Sequence, residues 1–412
     1  MKCGLIGESL LHSYSPQIHK SLVADEYSYE LCQISRNELE NFVTSRRLDA
    51  YNVTIPYKKA IIPYLDFVSD QALKIGAVNT VVTSPDGRSC GYNTDYFGFM
   101  KTVERLNVDL KGKKALVLGS GGASRTAQTV LSDLGADVTV ISRSGNDNYK
   151  SVYDLHADAS FIVNCTPVGM YPNTGESPID ISRFPRLSGV VDMVYNPYKT
   201  KLIYDAESLG VPAQNGLLML VSQAAAASEL FLGGQRKLTD ADIDRITNEI
   251  ACSAKNIILV GMPGSGKSTV GKLVADKLSR EFIDTDALIV QRSGMDIPSI
   301  FEKYGEEEFR RIETSVCADV GKLNGKVIST GGGVVTRAEN RYSIKQNSTV
   351  FFVDRDLSVL PTDDRPLSQK ASLDEMLKAR LPLYLDFSDY KIDNCGLPEE
   401  AADKIIKIIR EG

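Results

Sequence analysis

"KNIILVGMPGSGKST" occupies residues 255–269 and decides more about this chain than any other stretch. Ile257 to Val260 form an apolar, β-rich run that ends at Gly261. From Gly261 the spacing is G-x-x-x-x-G-K-S, a loop whose backbone N–H groups cradle phosphates where a helix begins. In that pattern Gly264, Ser265, Gly266 and Thr269 surround the phosphates, Lys267 reaches the β and γ oxygens, and Ser268 ligates magnesium. A strand, this loop and a helix predict an α/β domain that binds a nucleoside triphosphate. The loop alone does not choose between a kinase and an ATPase. It also starts late, so the residues before it must form something of their own.

Upstream, two stretches repeat the pattern of a strand entering a glycine turn: "KCGLIG" (2–7) and "KKALVLGSGGASR" (113–125). Apolar β-rich runs alternate with helical patterns throughout, which predicts parallel sheets covered by helices. "LDAYNVTIPYKKAIIPYL" (48–65) reads as a strand, a turn and a helix start. The Ala-rich run 216–234 reads as a helix, and 235–254 as a more polar one. A domain boundary with a short linker is expected near 250.

The bulk properties agree with a chain of several α/β units. With 412 residues, more than one core is expected. An apolar content of 42% and a charged content of 24% are those of a globular protein. The net charge is −6, and neither half is basic, which argues against nucleic-acid partners. The cysteines at 3, 32, 90, 165, 252, 317 and 395 are scattered without a C-x-x-C pair, so reduced thiols are expected rather than disulfides or zinc. His12, His19 and His156 have no ligand-cluster spacing and read as structural or surface groups. The start lacks the apolar core of a signal peptide and no stretch reaches membrane-spanning length, which predicts a cytoplasmic protein without membrane partners.

"VLGSGGASR" follows a strand and opens a helix, the setting of a dinucleotide fingerprint. Gly119 serves the tight turn, and Gly121, Gly122 and Ala123 carry the backbone toward a pyrophosphate at the helix start. The third small position is Ser124, a mild departure. The next strand, "ADVTVISRS", ends at Ser142 and Arg143, where a fold that prefers NAD places Asp or Glu against the ribose hydroxyls. A cation without an acid suits a 2′-phosphate, so NADP is the expected cofactor.

The motifs "HSYSPQIH" (12–19), "NVTIPYK" (52–58), "GAVNT" (76–80), "GYNTDYFG" (91–98), "NCTPVGM" (164–170), "VVDMVYNPYKT" (190–200) and "GLLMLVSQ" (216–223) stand in the order found in shikimate dehydrogenases, which residues 1–250 resemble. That resemblance implies a two-lobed dehydrogenase with a Rossmann-like NADP lobe. It places Ser13 and Ser15 on the substrate carboxylate, and Thr54, Asn79, Asp95 and Gln223 on ring hydroxyls. Lys58 and Asp95 become the catalytic pair, and Tyr195 lines the cleft. The chemistry supports the pair: ketone reduction needs a proton for the developing alkoxide, and a cleft lysine can supply it. Sequence leaves open which of Lys58 and Asp95 finally donates that proton. Lys59 beside it reads as a solvated helix start.

Past the phosphate loop, "EFIDTDALI" (281–289) brings Asp284 and Asp286, expected on one face of a strand end. One would sit near magnesium and the other near an acceptor hydroxyl. "YGEEEFRRIE" (304–313) supplies Arg310, and "VISTGGGVV" (327–335) supplies Gly331, Gly332 and Gly333, which bring backbone close to a small ligand. "TDDRPLS" holds Arg365, and "ARLPLY" holds Arg380 before a proline expected to break the helix. This ordered set resembles shikimate kinase. The resemblance implies that Asp286, Arg310, Gly331 to Gly333 and Arg380 hold shikimate. It also implies that Asp286 orients the attacking hydroxyl, that Asp284 and Ser268 serve magnesium, and that Arg365 arrives on a lid. Between "FFVDRD" and "DRPL" only "LSVLPTD" remains, shorter than in the family and lacking a further arginine, so a weakened adenine-side contact is expected.

The expected whole is a bifunctional enzyme: NADPH-dependent reduction of 3-dehydroshikimate, then phosphorylation of shikimate with MgATP. Its domains would be 1–102 with 212–250 (substrate lobe), 103–211 (NADP lobe) and 255–412 (kinase). The rival readings are a metabolite sensor built from the same modules and a dehydrogenase that also takes quinate.

Overall fold

The computed structural model describes residues 1–10, 13–356 and 370–411. They fall into two compact units. Met1–Val168, Ser177–Tyr195 and Asp205–Ile250 form the first; Gly169–Glu176, Asn196–Tyr204 and the residues from Ala251 onward form the second.

The first unit contains two sheets. One comprises β1 (Lys2–Gly7), β2 (Ser28–Gln33), β3 (Ala50–Val53), β4 (Phe67–Val68), β5 (Thr80–Thr83) and β6 (Ser89–Tyr92), in the order β2-β1-β3-β5-β6-β4. It is mixed, since β5 runs antiparallel to both β3 and β6. The reason is local: residues 84–88 close a hairpin in which Ser84 N–H donates to Arg88 O at 2.8 Å, and hairpins join antiparallel strands. The other sheet comprises β7 (Lys114–Leu118), β8 (Asp137–Ile141), β9 (Phe161–Asn164), β10 (Gly189–Asp192) and β11 (Ala213–Gln214). Its order is β11-β10-β9-β7-β8 and every pairing is parallel. Its last strand ends at Gln214, a little beyond the boundary expected at 211. From β7 the chain crosses to β8 on one side and then to β9 on the other, which opens a ligand crevice at the C-terminal ends of β7 and β9.

Helix Asp95–Arg105 packs closely on helix Leu217–Phe231 in this unit. A Cβ on Gly98 would come within 2.5 Å of the Met219 carbonyl, so only glycine permits that approach. Helix Asp240–Ala254 then runs on almost to the next strand, so the chain passes residue 250 inside a helix and not through an irregular linker.

The second unit is built on β12 (Asn256–Val260), β13 (Phe282–Asp284), β14 (Val327–Ser329), β15 (Ser348–Asp354) and β16 (Tyr390–Asp393). The order is β13-β14-β12-β15-β16, all parallel. Strand β12 is covered on both faces: Ile258 and Val260 enter one core with Phe352 and Tyr384, while Ile257 and Leu259 enter another with Phe351 and Ile405. Burial on both sides is why "IILV" reads as an unbroken apolar run. Pro382 does not end its helix, which runs from Lys370 to Phe387. Tyr384, just beyond it, stacks on Phe352 at 5.0 Å and donates to Gly332 O, so packing holds the helix past the proline. The segment around Lys199, part of a dehydrogenase motif by sequence, lies with this unit: Lys199 N–H donates to Gln346 O at 2.7 Å.

All cysteines are free thiols. Among the described residues, no helix is long and apolar enough to cross a membrane.

Candidate active sites

The first site begins at the short helix Tyr57–Ala60. Tyr57 is buried and its hydroxyl donates to Ile34 O at 2.6 Å, while the Lys58 carbonyl accepts from Val78 N–H at 2.7 Å. Those anchors fix the backbone and turn Lys58 inward, where its Nζ donates to Asp95 Oδ2 at 2.6 Å. Lys59 is exposed, as its solvated reading required. Asp95 opens helix Asp95–Arg105, which fixes where its carboxylate stands. The two side chains keep 30% and 16% of their surface, enough for a ligand to reach both.

A cleft of about 590 Å³ holds the pair together with Ser13, Ser15, Thr54, Asn79, Tyr195 and Gln223, so every side chain expected on the first substrate converges here. Met193, Met219 and Leu220 supply apolar wall. Ala123, from the glycine turn, lines the same space. From the cleft surface into the core runs a polar network that sequence reasoning missed. Asn52 accepts from Tyr29 Oη at 2.8 Å and donates to Thr80 Oγ1 at 3.2 Å. Asn79 Oδ1 accepts from Thr80 Oγ1 at 3.0 Å and from Thr94 N–H at 2.7 Å, and its amide reaches Gln223 Oε1 at 3.4 Å. Asn52 and Thr94 stand inside "NVTIPYK" and "GYNTDYFG", but only the fold shows them bonded to Asn79, Asn52 to its carbonyl and Thr94 to its side chain, with Asn52 also lining the cleft.

His19 packs behind this wall, stacked on Tyr29 at 3.9 Å and sharing a 2.6 Å hydrogen bond with Tyr27 Oη. Burial drives its imidazole down to about 3, so the ring is neutral. His156 pairs with Asp147 at 2.8 Å; His12 lies outside the described residues.

At the dinucleotide turn, Gly119 has φ +102° and a Cβ there would stand 2.9 Å from Thr166 Cγ2. Gly121 caps helix Gly122–Asp133, and Cβ atoms on Gly121 or Gly122 would meet nothing within 4 Å. The helix N-terminus is thus open to an anion. Arg143 follows β8 and is exposed, free to meet a charge at the neighbouring strand end. These residues fit a phosphorylated dinucleotide.

The second site gathers at the C-terminal ends of β12, β13 and β14. Lys267 is buried and donates to the carbonyls of Gly261 (3.0 Å) and Met262 (2.8 Å), so its charge rests inside the loop. Gly264 and Gly266 take φ +82° and +90°, which the loop requires of glycine. Ser265 is buried in the loop's bend, and Thr269 lies in the first turn of helix Lys267–Leu278. Ser268 Oγ donates to Asp284 Oδ2 at 2.8 Å and lies 3.1 Å from Ser329 Oγ. Such hard oxygens, beside a phosphate cradle, fit magnesium.

The geometry of the acid pair corrects the strand-face expectation. Strand β13 ends at Asp284, and Asp286 lies in the first turn of helix Thr285–Ser293. Asp284 caps that helix, its Oδ1 accepting from Asp286 N–H at 3.0 Å, while its other oxygen serves Ser268. The two carboxylates are neighbours because of the cap, not the pleat.

Asp286, Arg310, Gly331, Gly332, Gly333 and Arg380 line a second cavity of about 580 Å³ with Phe301 and Phe309. A Cβ on Gly333 would strike the Arg310 guanidinium, and one on Gly331 would stand 2.8 Å from Asp286 Oδ1. Arg380 Nη1 donates to Gly332 O at 3.3 Å. Sequence reasoning missed Glu313, which is 1% exposed and accepts from Arg310 Nη1 at 2.8 Å. Burial pushes its carboxyl up, against the pull of Arg310 beside it. Its place three residues after Arg310 on a helix is the signal that could have found it. Arg365 lies outside the described residues.

Comparisons with known proteins fit this geometry. Family models match at residues 5–81, for the shikimate dehydrogenase substrate binding domain, and at residues 263–410, for shikimate kinase. The shikimate dehydrogenase (NADP(+)) of Clostridium perfringens strain SM101 is 36% identical over 269 residues, 60% of this chain and 98% of that protein. The Clostridium beijerinckii protein of the same name is 35% identical, again over 60% and 98%. Among solved structures, a chorismate mutase/shikimate 5-dehydrogenase fusion from Clostridium acetobutylicum is 38% identical with TM-score 0.57, covering 60% of this chain and 96% of that one. Shikimate 5-dehydrogenase from Thermus thermophilus, in complex with NADP(H) and shikimate, is 31% identical with TM-score 0.54 over 60% and 99%. A quinate dehydrogenase from Corynebacterium glutamicum, in complex with NAD, reaches TM-score 0.55 at 28% identity, covering 61% and 98%. With its Lys58–Asp95 cleft and its phosphate loop, the chain belongs to the shikimate dehydrogenases over its N-terminal part and continues into a shikimate kinase domain, which makes it a bifunctional enzyme of the shikimate pathway.

Proposed function

We propose that residues 1–250 reduce 3-dehydroshikimate to shikimate with NADPH, and that residues 255–412 phosphorylate its 3-hydroxyl with MgATP. Within the first part, 1–102 with 212–250 bind substrate and 103–211 bind cofactor. The carrying observation is the Lys58–Asp95 contact of 2.6 Å in the cavity that also holds the other expected substrate side chains.

Gly119, Gly121, Gly122, Ala123 and Arg143 would hold NADPH, which would supply the hydride. Lys58 donates a hydrogen bond to the ketone oxygen and passes its proton as alkoxide charge develops. Asp95 holds Lys58 in place and accepts from a ring hydroxyl. Ser13 and Ser15 donate to the carboxylate, Thr54, Asn79 and Gln223 take the remaining hydroxyls, and Tyr195 closes the wall.

In the kinase, MgATP supplies the transferable phosphoryl group. Lys267 turns from its loop carbonyls to the phosphate oxygens, and Ser268 and Asp284 would hold the metal. Asp286 orients the attacking hydroxyl and receives its proton. Arg310 and Arg380 grip the carboxylate in the manner suited to a guanidinium fork. The backbone of Gly331 to Gly333 lies against the ring, and Arg365 neutralises charge on the moving phosphoryl group.

A coupled assay with 3-dehydroshikimate, NADPH and MgATP tests both halves. Lys58→Ala lowers kcat/KM for reduction by about 10²–10⁴ and leaves phosphorylation of supplied shikimate intact. Lys267→Ala does the reverse. Undiminished reduction in the first variant would remove Lys58 from the mechanism. The fold shared with a quinate dehydrogenase favours a second reading, in which the cleft also accepts quinate. Specificity constants for the two acids decide it.

A further inference from the structure

Beside the phosphate loop stands a cation that the chemistry above does not use. Arg355 directly follows β15, and among the described residues its side chain makes no hydrogen bond or ion pair; its Nε is buried without a partner. One of its Nη atoms stands 3.9 Å from where a Cβ on Gly266 would be. A second group closes on the same glycine. Asn394 is 2% exposed, donates from Nδ2 to Ser265 O at 2.8 Å, and would collide with a Cβ on Gly266. Its Oδ1 is also buried without a partner.

A desolvated donor and a desolvated acceptor left unmade are costly, and the two side chains that carry them flank one glycine of the loop that takes the nucleotide. Strand order says which part of the ligand. The loop leaves β12; on its β14 and β13 side stand Gly331, Asp284 and Asp286, where the acceptor alcohol is taken. On its β15 and β16 side stand Arg355 and Asn394. A triphosphate laid across the loop with its γ end toward Asp286 must carry its nucleoside toward Arg355.

We propose that Arg355 is the nucleoside-end contact of this kinase, its guanidinium plane lying on the base while Asn394 Oδ1 takes a donor of the nucleoside. A guanidinium stacks on aromatic faces and its rim still donates. The assignment rests on the kinase reading of the second unit. It also revises the expectation from the short "LSVLPTD" segment: the adenine-side cation is supplied from the strand end rather than lost.

The test uses the full-length chain with Arg355→Ala, and competition by inorganic tripolyphosphate as a probe without a nucleoside. KM for ATP should rise about tenfold, with KM for shikimate, dehydrogenase activity and tripolyphosphate affinity unchanged. Arg355→Lys should recover only part of the loss, since an ammonium does not stack as a planar fork does. An unchanged KM for ATP overturns the assignment. So does an equal weakening of tripolyphosphate, which would make Arg355 a phosphate ligand. Lys267→Ala serves as the control: if it leaves ATP and tripolyphosphate binding intact, the kinase reading itself fails.

Discussion

The two clefts solve substrate binding in opposite ways. In the dehydrogenase, the polar side chains are already bonded to one another: Asn79 and Gln223 at the cleft bond each other and the more deeply placed Thr80 and Thr94, and Lys58 is held by Asp95. In the kinase, charges are stored in provisional contacts. Lys267 rests on its own loop carbonyls, Arg310 on Glu313, and Arg355 on nothing among the described residues. The difference tracks the ligands. Dehydroshikimate brings one carboxylate and a set of hydroxyls, so a rigid, mutually bonded network meets its hydroxyls without a penalty before binding. A triphosphate brings several charges and can take over the loop contacts that Lys267 makes, whereas Arg310, which serves the acceptor's carboxylate, stays anchored to Glu306 and Glu313.

The contrast is most vulnerable at Glu313. Arg310 and Glu313 are both nearly buried, and truncating one partner of such a pair costs up to about 3 kcal/mol, although Arg310 keeps a second, exposed partner in Glu306 at 3.1 Å. Glu313→Ala should therefore lower the melting transition of the kinase and raise KM for shikimate, while dehydrogenase kinetics stay unchanged. Thermal unfolding with two-activity kinetics checks it; a normal KM for shikimate would show that Glu306 alone suffices to position Arg310.

A smaller effect separates the halves by acid. The histidines, at 12, 19 and 156, all lie in the dehydrogenase sequence. His19 has its folded value depressed from 6.5 to about 3, so the unfolded chain takes up a proton first as pH falls. Stability is fully present above pH 6.5 and is lost below it, at about 1.4 kcal/mol per pH unit for one such proton. Inactivation of the dehydrogenase between pH 6.5 and 5 should be shallower in His19→Gln. Parallel curves for the two proteins would mean that other groups govern the acid limb.

The smallest effect concerns the cofactor choice. Arg143 is exposed, and solvent weakens its contribution. Arg143→Ala should cut the preference for NADPH over NADH by about tenfold, near 1.4 kcal/mol, with KM for dehydroshikimate unaltered. Steady-state kinetics with both cofactors measure it.

Much of the molecule is legible in its sequence because motifs are local. The phosphate loop, the glycine turn after β7 and "NVTIPYK" each place backbone and side chain within a few residues, where steric rules act without tertiary help. Sequence reasoning fails where distant neighbours decide. It puts Asp286 on a strand face because period-two alternation is carried two residues too far, past the cap at Asp284. It lets Pro382 end a helix that Tyr384 and its contacts carry through.

The order of amino acids is enough to specify two successive nucleotide-binding α/β modules and the residue types that could serve them. Which polar groups are buried is a property of the packed fold, and with it which of them the protein satisfies and which a ligand must. Asn79 and Arg355 illustrate the division: the first is bonded by Thr80, Thr94 and Gln223, the second keeps a buried Nε with no partner. Desolvation depends on atoms brought together from distant parts of the chain, and no local pattern encodes it.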